Sequence, residues 1–88
     1  MKRVRVVATG RVQGVFFRDG CRSAARAERV AGWVRNRADG AVEAVFEGPA
    51  AAVDRMVKWC ETGPPRAHVA SVQVTEEQPV GEAGFRVS

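Results

Sequence analysis

No leucine, isoleucine or tyrosine occurs in this chain, so valine, alanine, four phenylalanines and two tryptophans must fill any interior. Histidine occurs once, which excludes a multi-histidine metal site, and no cluster of ligand-type residues stands at metal-binding spacing. The two cysteines, Cys21 and Cys60, fall in different predicted helices. Without a secretory signal they read as reduced, half-buried core residues rather than a bridge. No apolar run approaches membrane-spanning length. Met1-Lys2-Arg3 leads into alternating Val and Arg instead of the apolar block of a signal peptide, so a cytoplasmic protein is expected. No linker, repeat or low-complexity tract divides the sequence, and residues 1–88 are expected to form one domain with a modest core.

What is present is globular in balance: 45% hydrophobic and 27% charged residues leave enough apolar surface to bury. A net charge of +4 and a pI near 10.0 favour an anionic partner without identifying it. A first strand over about residues 3–9 places Val4, Val6 and Ala8 on one face and Arg3, Arg5, Val7 and Thr9 on the other. A helix follows from about Arg18 to Val30, with Phe17, Cys21, Ala24 and Ala25 inward and Arg22, Arg26 and Arg29 as an outer stripe. Gly20 reads as a weak point in it, costing up to ~1 kcal/mol against Ala.

Strands over about 31–37 and 41–47 flank Ala38-Asp39-Gly40. A two-residue Asp-Gly turn would mix charged and apolar residues on one face. A three-residue loop with Gly40 left-handed shifts the register by one. Val34, Val42, Ala44 and Phe46 then share a face and Arg35 stands opposite Glu43, so burial selects this register. A second helix runs from about Pro49 to Glu61 or Thr62, with Val53, Met56, Val57 and Cys60 as its core stripe, and Gly63-Pro64-Pro65 ends it. A fourth strand over about 68–77 alternates Ala70, Val72 and Val74 with Ser71, Gln73 and Thr75, and a short terminal strand contains Phe85 and Val87. The order βαββαβ plus a terminal strand implies an α+β, ferredoxin-like sandwich: two helices on one face of an antiparallel sheet. With the first two strands parallel and the third between them, Asn36 points toward the N-terminus of the first helix.

The stretch Gly10-Arg11-Val12-Gln13-Gly14-Val15-Phe16-Phe17-Arg18 joins that strand to that helix. Loop N–H groups and the unpaired N–H groups of a first helical turn can converge on an anion, and Arg18 adds a planar cationic fork suited to phosphate. The stretch is neither a Walker A sequence nor a dinucleotide fingerprint. A competing motif, Cys60 to Arg66, has the C-x5-R spacing of cysteine-dependent phosphatases. Pro64 and Pro65 lack the N–H groups such a loop needs, and a helix C-terminus disfavours thiolate. With no nucleophilic triad and no metal cluster, the substrate must carry most of the reactivity. An acyl phosphate does so, because its carboxylate leaves without a strong acid's help. The protein then has to hold phosphate, neutralise charge and position water. Asn36, the single Asn, offers an acceptor and donors for that water, although residue type and position alone favour turn or strand-end hydrogen bonding.

Gly10 to Arg18, with Gly32-Trp33-Val34-Arg35-Asn36 after it, resembles the paired signature of the acylphosphatase family. The likeness continues through Asp39-Gly40, Glu47-Gly48-Pro49, Gly63-Pro64-Pro65 and Phe85-Arg86-Val87. It implies metal-independent, cofactor-free hydrolysis of small acyl phosphates, with inorganic phosphate as product and inhibitor. By position, Arg18 matches the family's phosphate-binding arginine and Asn36 its water-orienting asparagine. Gln13, Gly14, Val15, Phe16 and Phe17 complete the phosphate loop. A monomer, no membrane and no specific nucleic acid are expected. Gly20 and Arg37 depart from the family pattern and bear on rate and substrate preference. The rivals are an RNA-recognition sheet of the same element order and a catalytically silent anion-binding module. The first strand has no stacking aromatic for the former, and acyl phosphate hydrolysis separates the latter.

Overall fold

The computed structural model describes residues 1–88. In chain order it contains β1 (Lys2–Arg11), α1 (Phe17–Ala27), β2 (Ala31–Asn36), β3 (Val42–Gly48), α2 (Ala50–Thr62), β4 (His68–Glu77) and β5 (Phe85–Val87). The strands form one sheet in the order β4-β1-β3-β2-β5. Every ladder is antiparallel except the last, in which β5 runs parallel to β2 at Gly32/Phe85 and Val34/Val87. The antiparallel sandwich expected from the element order therefore carries a parallel seam at one edge.

Alternation along the strands decides which side is dry. Val4, Val6 and Ala8 of β1, Val34 of β2 and Val42, Ala44 and Phe46 of β3 meet Phe17, Cys21 and Ala25 of α1 and Val53, Met56 and Cys60 of α2 in one core. Burying each Val, Phe or Met side chain contributes about 1.5–3 kcal/mol before entropy is counted. Phe46 stacks on Phe85 at 5.8 Å, fastening the short β5 to the sheet. Phe17 meets Trp59 edge to face at 5.2 Å and ties the two helices together. Gly20 corrects the expectation of a mere weak point: a Cβ there would lie 3.0 Å from the Trp59 ring. Its missing side chain makes room for that contact.

The opposite face of the sheet is closed by ion pairs. Glu43 and Glu47 are only 5% and 3% exposed. Arg5 and Arg35 both donate to Glu43, and Arg3 donates to Glu47 at 3.1 Å and Glu77 at 3.0 Å. Trp33 lies beneath the Arg5 and Arg35 guanidinium groups at 5.5 and 5.8 Å. Glu47 also receives the N–H groups of Val80, Gly81 and Glu82 at 2.9, 2.8 and 3.0 Å. One carboxylate thus fixes the loop that delivers β5.

The bulged hairpin register is observed: Arg35 opposes Glu43, Val34 opposes Ala44, and Gly40 has φ 93°. Three expectations need correction. α1 ends at Ala27 rather than Val30, because Arg29 turns left-handed (φ 58°). The Val30 and Arg29 N–H groups then donate to Ala25 and Arg26 carbonyls, a Schellman closure without glycine. In β4, a register shift opposite Thr9/Gly10 turns Val69 toward the core and leaves Ala70 exposed, while edge residue Val74 is 47% exposed. Cys21 and Cys60 are fully buried rather than half-buried, and both are free. A hydrogen bond from Cys60, with burial added, pushes the Cys21 thiol up and keeps it protonated.

Candidate active site

Residues 12–16 carry the chain from β1 to α1. Val12 and Val15 anchor that loop in the core at 1% and 7% exposure, which leaves Gly14 and Phe16 outside. Gly14 takes φ 72°, a backbone angle that a side chain resists. Phe16 adopts the left-handed region as well, at φ 66° and ψ 26°, and is the residue from which α1 starts. For a residue with a Cβ this costs about 1–2 kcal/mol, a strain concentrated at the turn into the helix.

The loop's donors are free. No backbone carbonyl accepts from the N–H groups of residues 12–16, and none of the side-chain acceptors that bind backbone N–H groups reaches them. The first N–H of α1 to find a carbonyl is that of Gly20, which donates to Phe16 at 3.0 Å. The N–H groups of the preceding helical turn stay open, as at any uncapped N-terminus. The loop's donors directly precede the positive end of the α1 dipole in the chain.

Two side chains complete the arrangement. Arg18, in the first turn of α1, donates from Nη1 to the Ser88 carbonyl oxygen at 2.9 Å, so one donor of its five-donor fork is committed. Asn36 ends β2 opposite Val42, on the same face as Val34. Its Oδ1 is buried and accepts no hydrogen bond from the protein. An unpaired buried acceptor costs about 1–3 kcal/mol and calls for a donor such as water. Arg18, Asn36, Gly14, Phe16 and Phe17 line one cleft of about 370 Å³, joined by Val12, Asp19 and Val87.

Two of the sequence-assigned loop residues have side chains elsewhere. Gln13 folds back, its Nε2 donating to the Arg37 and Ala41 carbonyls at 2.8 and 3.0 Å. It staples the loop to the hairpin that carries Asn36. Val15 packs in the core, so both residues have only backbone N–H groups to offer. Sequence reasoning missed Asp19, Val87 and Ser88. The last two arrive through the parallel seam, where the Ser88 N–H donates to the Val34 carbonyl at 2.9 Å. The three-residue β5 gave no pairing signal of its own. Cys60 and Arg66 form no phosphatase loop, since the thiol is 1% exposed inside the core.

Comparison with known proteins identifies the family. The acylphosphatase family profile matches residues 4–87. A relative from Rubrobacter xylanophilus named acylphosphatase is 61% identical over 87 residues, covering 98% of this chain and 79% of its own. An acylphosphatase structure from Bacillus subtilis has a TM-score of 0.96 at 38% identity, covering 100% of this chain and 99% of that one. Another, from Coxiella burnetii, gives 0.95 at 36% identity, covering 99% and 92%. The chain belongs to the acylphosphatase family. It is an enzyme that hydrolyses the anhydride between a carboxyl group and phosphate.

Proposed function

We propose that this chain hydrolyses acyl phosphates by gripping the phosphoryl group with the 12–16 loop and Arg18 while Asn36 orients the attacking water. The observation that carries this reading is the coincidence, in one cleft, of unpaired backbone donors, an arginine fork and the buried, unpartnered Oδ1 of Asn36. N–H groups of Gln13, Gly14, Val15, Phe16 and Phe17 and the guanidinium take the three peripheral phosphoryl oxygens. Water held by Asn36 Oδ1 attacks phosphorus, and the bond from phosphorus to the acyl oxygen breaks. The carboxylate leaves with the electron pair, and the water's proton passes to a phosphoryl oxygen. The protein's task is positioning and charge stabilisation.

Residues 1–88 act in this reading as one domain and as a monomer. Inorganic phosphate, the product, competes with substrate for the same donors. No group of three metal-ligating side chains comes together in the chain, so activity is expected to survive chelators. Two free buried cysteines side by side suit the reducing cytoplasm.

The test separates the two side chains. Arg18→Ala should weaken inorganic-phosphate binding and lower turnover by about 10²–10³-fold. Arg18→Lys should recover little, since a point charge cannot replace the fork. Asn36→Ala should keep phosphate affinity and lose turnover. A folded Asn36→Ala variant with wild-type kcat would remove the water-positioning step from this mechanism.

A further inference from the structure

The side chain of Phe16, which lines the cleft, and that of Arg66 beside it are not used by the phosphoryl chemistry. Phe16 is 65% exposed although it is a large apolar side chain, and its backbone is held in the left-handed region. The Arg66 guanidinium carbon lies 5.9 Å from the Phe16 ring centroid. Arg66 comes from the Pro64-Pro65 turn after α2, which is closed by the Ala67 N–H donating to the Pro64 carbonyl at 2.9 Å. The turn therefore presents the arginine from a rigid support.

Charge around the cleft is unequal. Asp19 lines one side, 3.5 Å from its partner Arg22 and largely exposed. On the Phe16 side, Arg66 has no carboxylate within 4.0 Å. Most other arginines of the molecule are matched by acids, so Arg66 is cationic surplus beside Phe16. A phosphoryl group seated among the loop donors has its acyl group pointing out of the cleft. An anionic acyl group is repelled by Asp19 and drawn across Phe16 toward Arg66.

We propose that Phe16 and Arg66 form an acyl-group subsite that selects acyl phosphates carrying a second anionic group at the far end of the acyl chain. Phe16 supplies the surface for the apolar part and Arg66 the counter-charge. This rests on the phosphoryl-binding reading of the 12–16 loop given above.

Benzoyl phosphate and 4-carboxybenzoyl phosphate test it, because they differ only in a para carboxylate that cannot attack its own anhydride. Wild-type kcat/KM should be higher for the carboxylated substrate, through KM. Arg66→Ala should lower kcat/KM for that substrate about tenfold while changing benzoyl phosphate less than about twofold, with kcat kept for both. Arg66→Glu should invert the preference. Arg26→Glu is the control for overall charge: exposed and unpaired, it lies eight residues along α1 from Arg18, about 12 Å away. It should leave the ratio of the two substrates near wild type. Equal losses on both substrates in Arg66→Ala, or an equal change of ratio in Arg26→Glu, would overturn the subsite. Failure of wild-type protein to hydrolyse either substrate would count against the phosphoryl-binding reading instead.

Discussion

Two loops of this protein gather consecutive backbone N–H groups, and they differ in what fills them. In the loop before β5, Val80, Gly81 and Glu82 all donate to Glu47, a buried carboxylate of the protein itself that also receives Arg3. In the loop before α1, the N–H groups of residues 12–16 have no acceptor in the chain, and Arg18 keeps most of its fork free. The same backbone chemistry is closed by an internal anion at one site and open to an external one at the other. A filled nest is structure, and the open one is the phosphoryl-binding loop of the mechanism proposed above. What distinguishes them is whether the fold has already supplied the negative charge.

The widest separation between the two loops should come from removing the charged group at each. Arg18→Ala should cost about 10²–10³ in kcat, and more in kcat/KM, with little change in the urea midpoint. Glu47→Ala should do the reverse in kind, giving the largest stability loss of any single carboxylate, because it strands Arg3 and three N–H groups together. A Glu47→Ala protein as stable as wild type would break the comparison at its filled end.

Acid sharpens the same contrast. The Val80 N–H, working against burial and aided by Arg3 and the Gly81 and Glu82 N–H groups, holds the Glu47 carboxyl below its ordinary 4.5. A carboxyl lower in the folded than in the unfolded state adds stability that is complete above about 4.5 and disappears as pH falls through the folded value. Unfolding free energy should therefore drop on acidification below that range, and Glu47→Gln should flatten the drop. Urea titrations at stepped pH measure it.

Gln13 gives a smaller effect. Gln13→Ala removes two hydrogen bonds to the hairpin and should cost about 1–2 kcal/mol of stability. It should also raise the inhibition constant for inorganic phosphate a few-fold, since the open loop loses its staple. An unchanged phosphate constant would show that the loop holds its shape without that staple. Least of all is expected at Gly20, behind the open loop. In Gly20→Ala the gain in helix propensity opposes a Cβ 3.0 Å from the Trp59 ring, leaving a net loss under about 0.5 kcal/mol by thermal unfolding.

Much of the site was legible because it depends on topology and on strong local signals. The hairpin register follows from burial of Val34, Val42 and Ala44, and once it is set Asn36 must end beside α1. β4 was bounded by its alternation, yet not its inward residues, because the shift at Thr9/Gly10 is a property of two paired strands and neither shows it alone. The end of α1 was misplaced because its left-handed closure falls on Arg29, where sequence offers no glycine. That the Gln13 side chain staples the loop was not legible, because its partners, two carbonyls of a distant hairpin, leave no trace in local sequence. Trp33 and its two arginines were likewise hidden, since their stacking crosses from β2 to β1.

The position of β1 in the sheet also bears on how the protein comes off the ribosome. β1 sits between β3 and β4, and its ladder with β4 joins Arg3 to Glu77, 74 positions apart. At ordinary rates of synthesis the first strand waits roughly 4 to 15 seconds for that neighbour. During the wait, one edge of a valine-rich strand is an open template for other chains. Arg3 and Arg5, which later pair with Glu77, interrupt that strand with like charge at every second residue. Before they are salt-bridge partners, they are gatekeepers that keep the nascent strand from pairing with another chain.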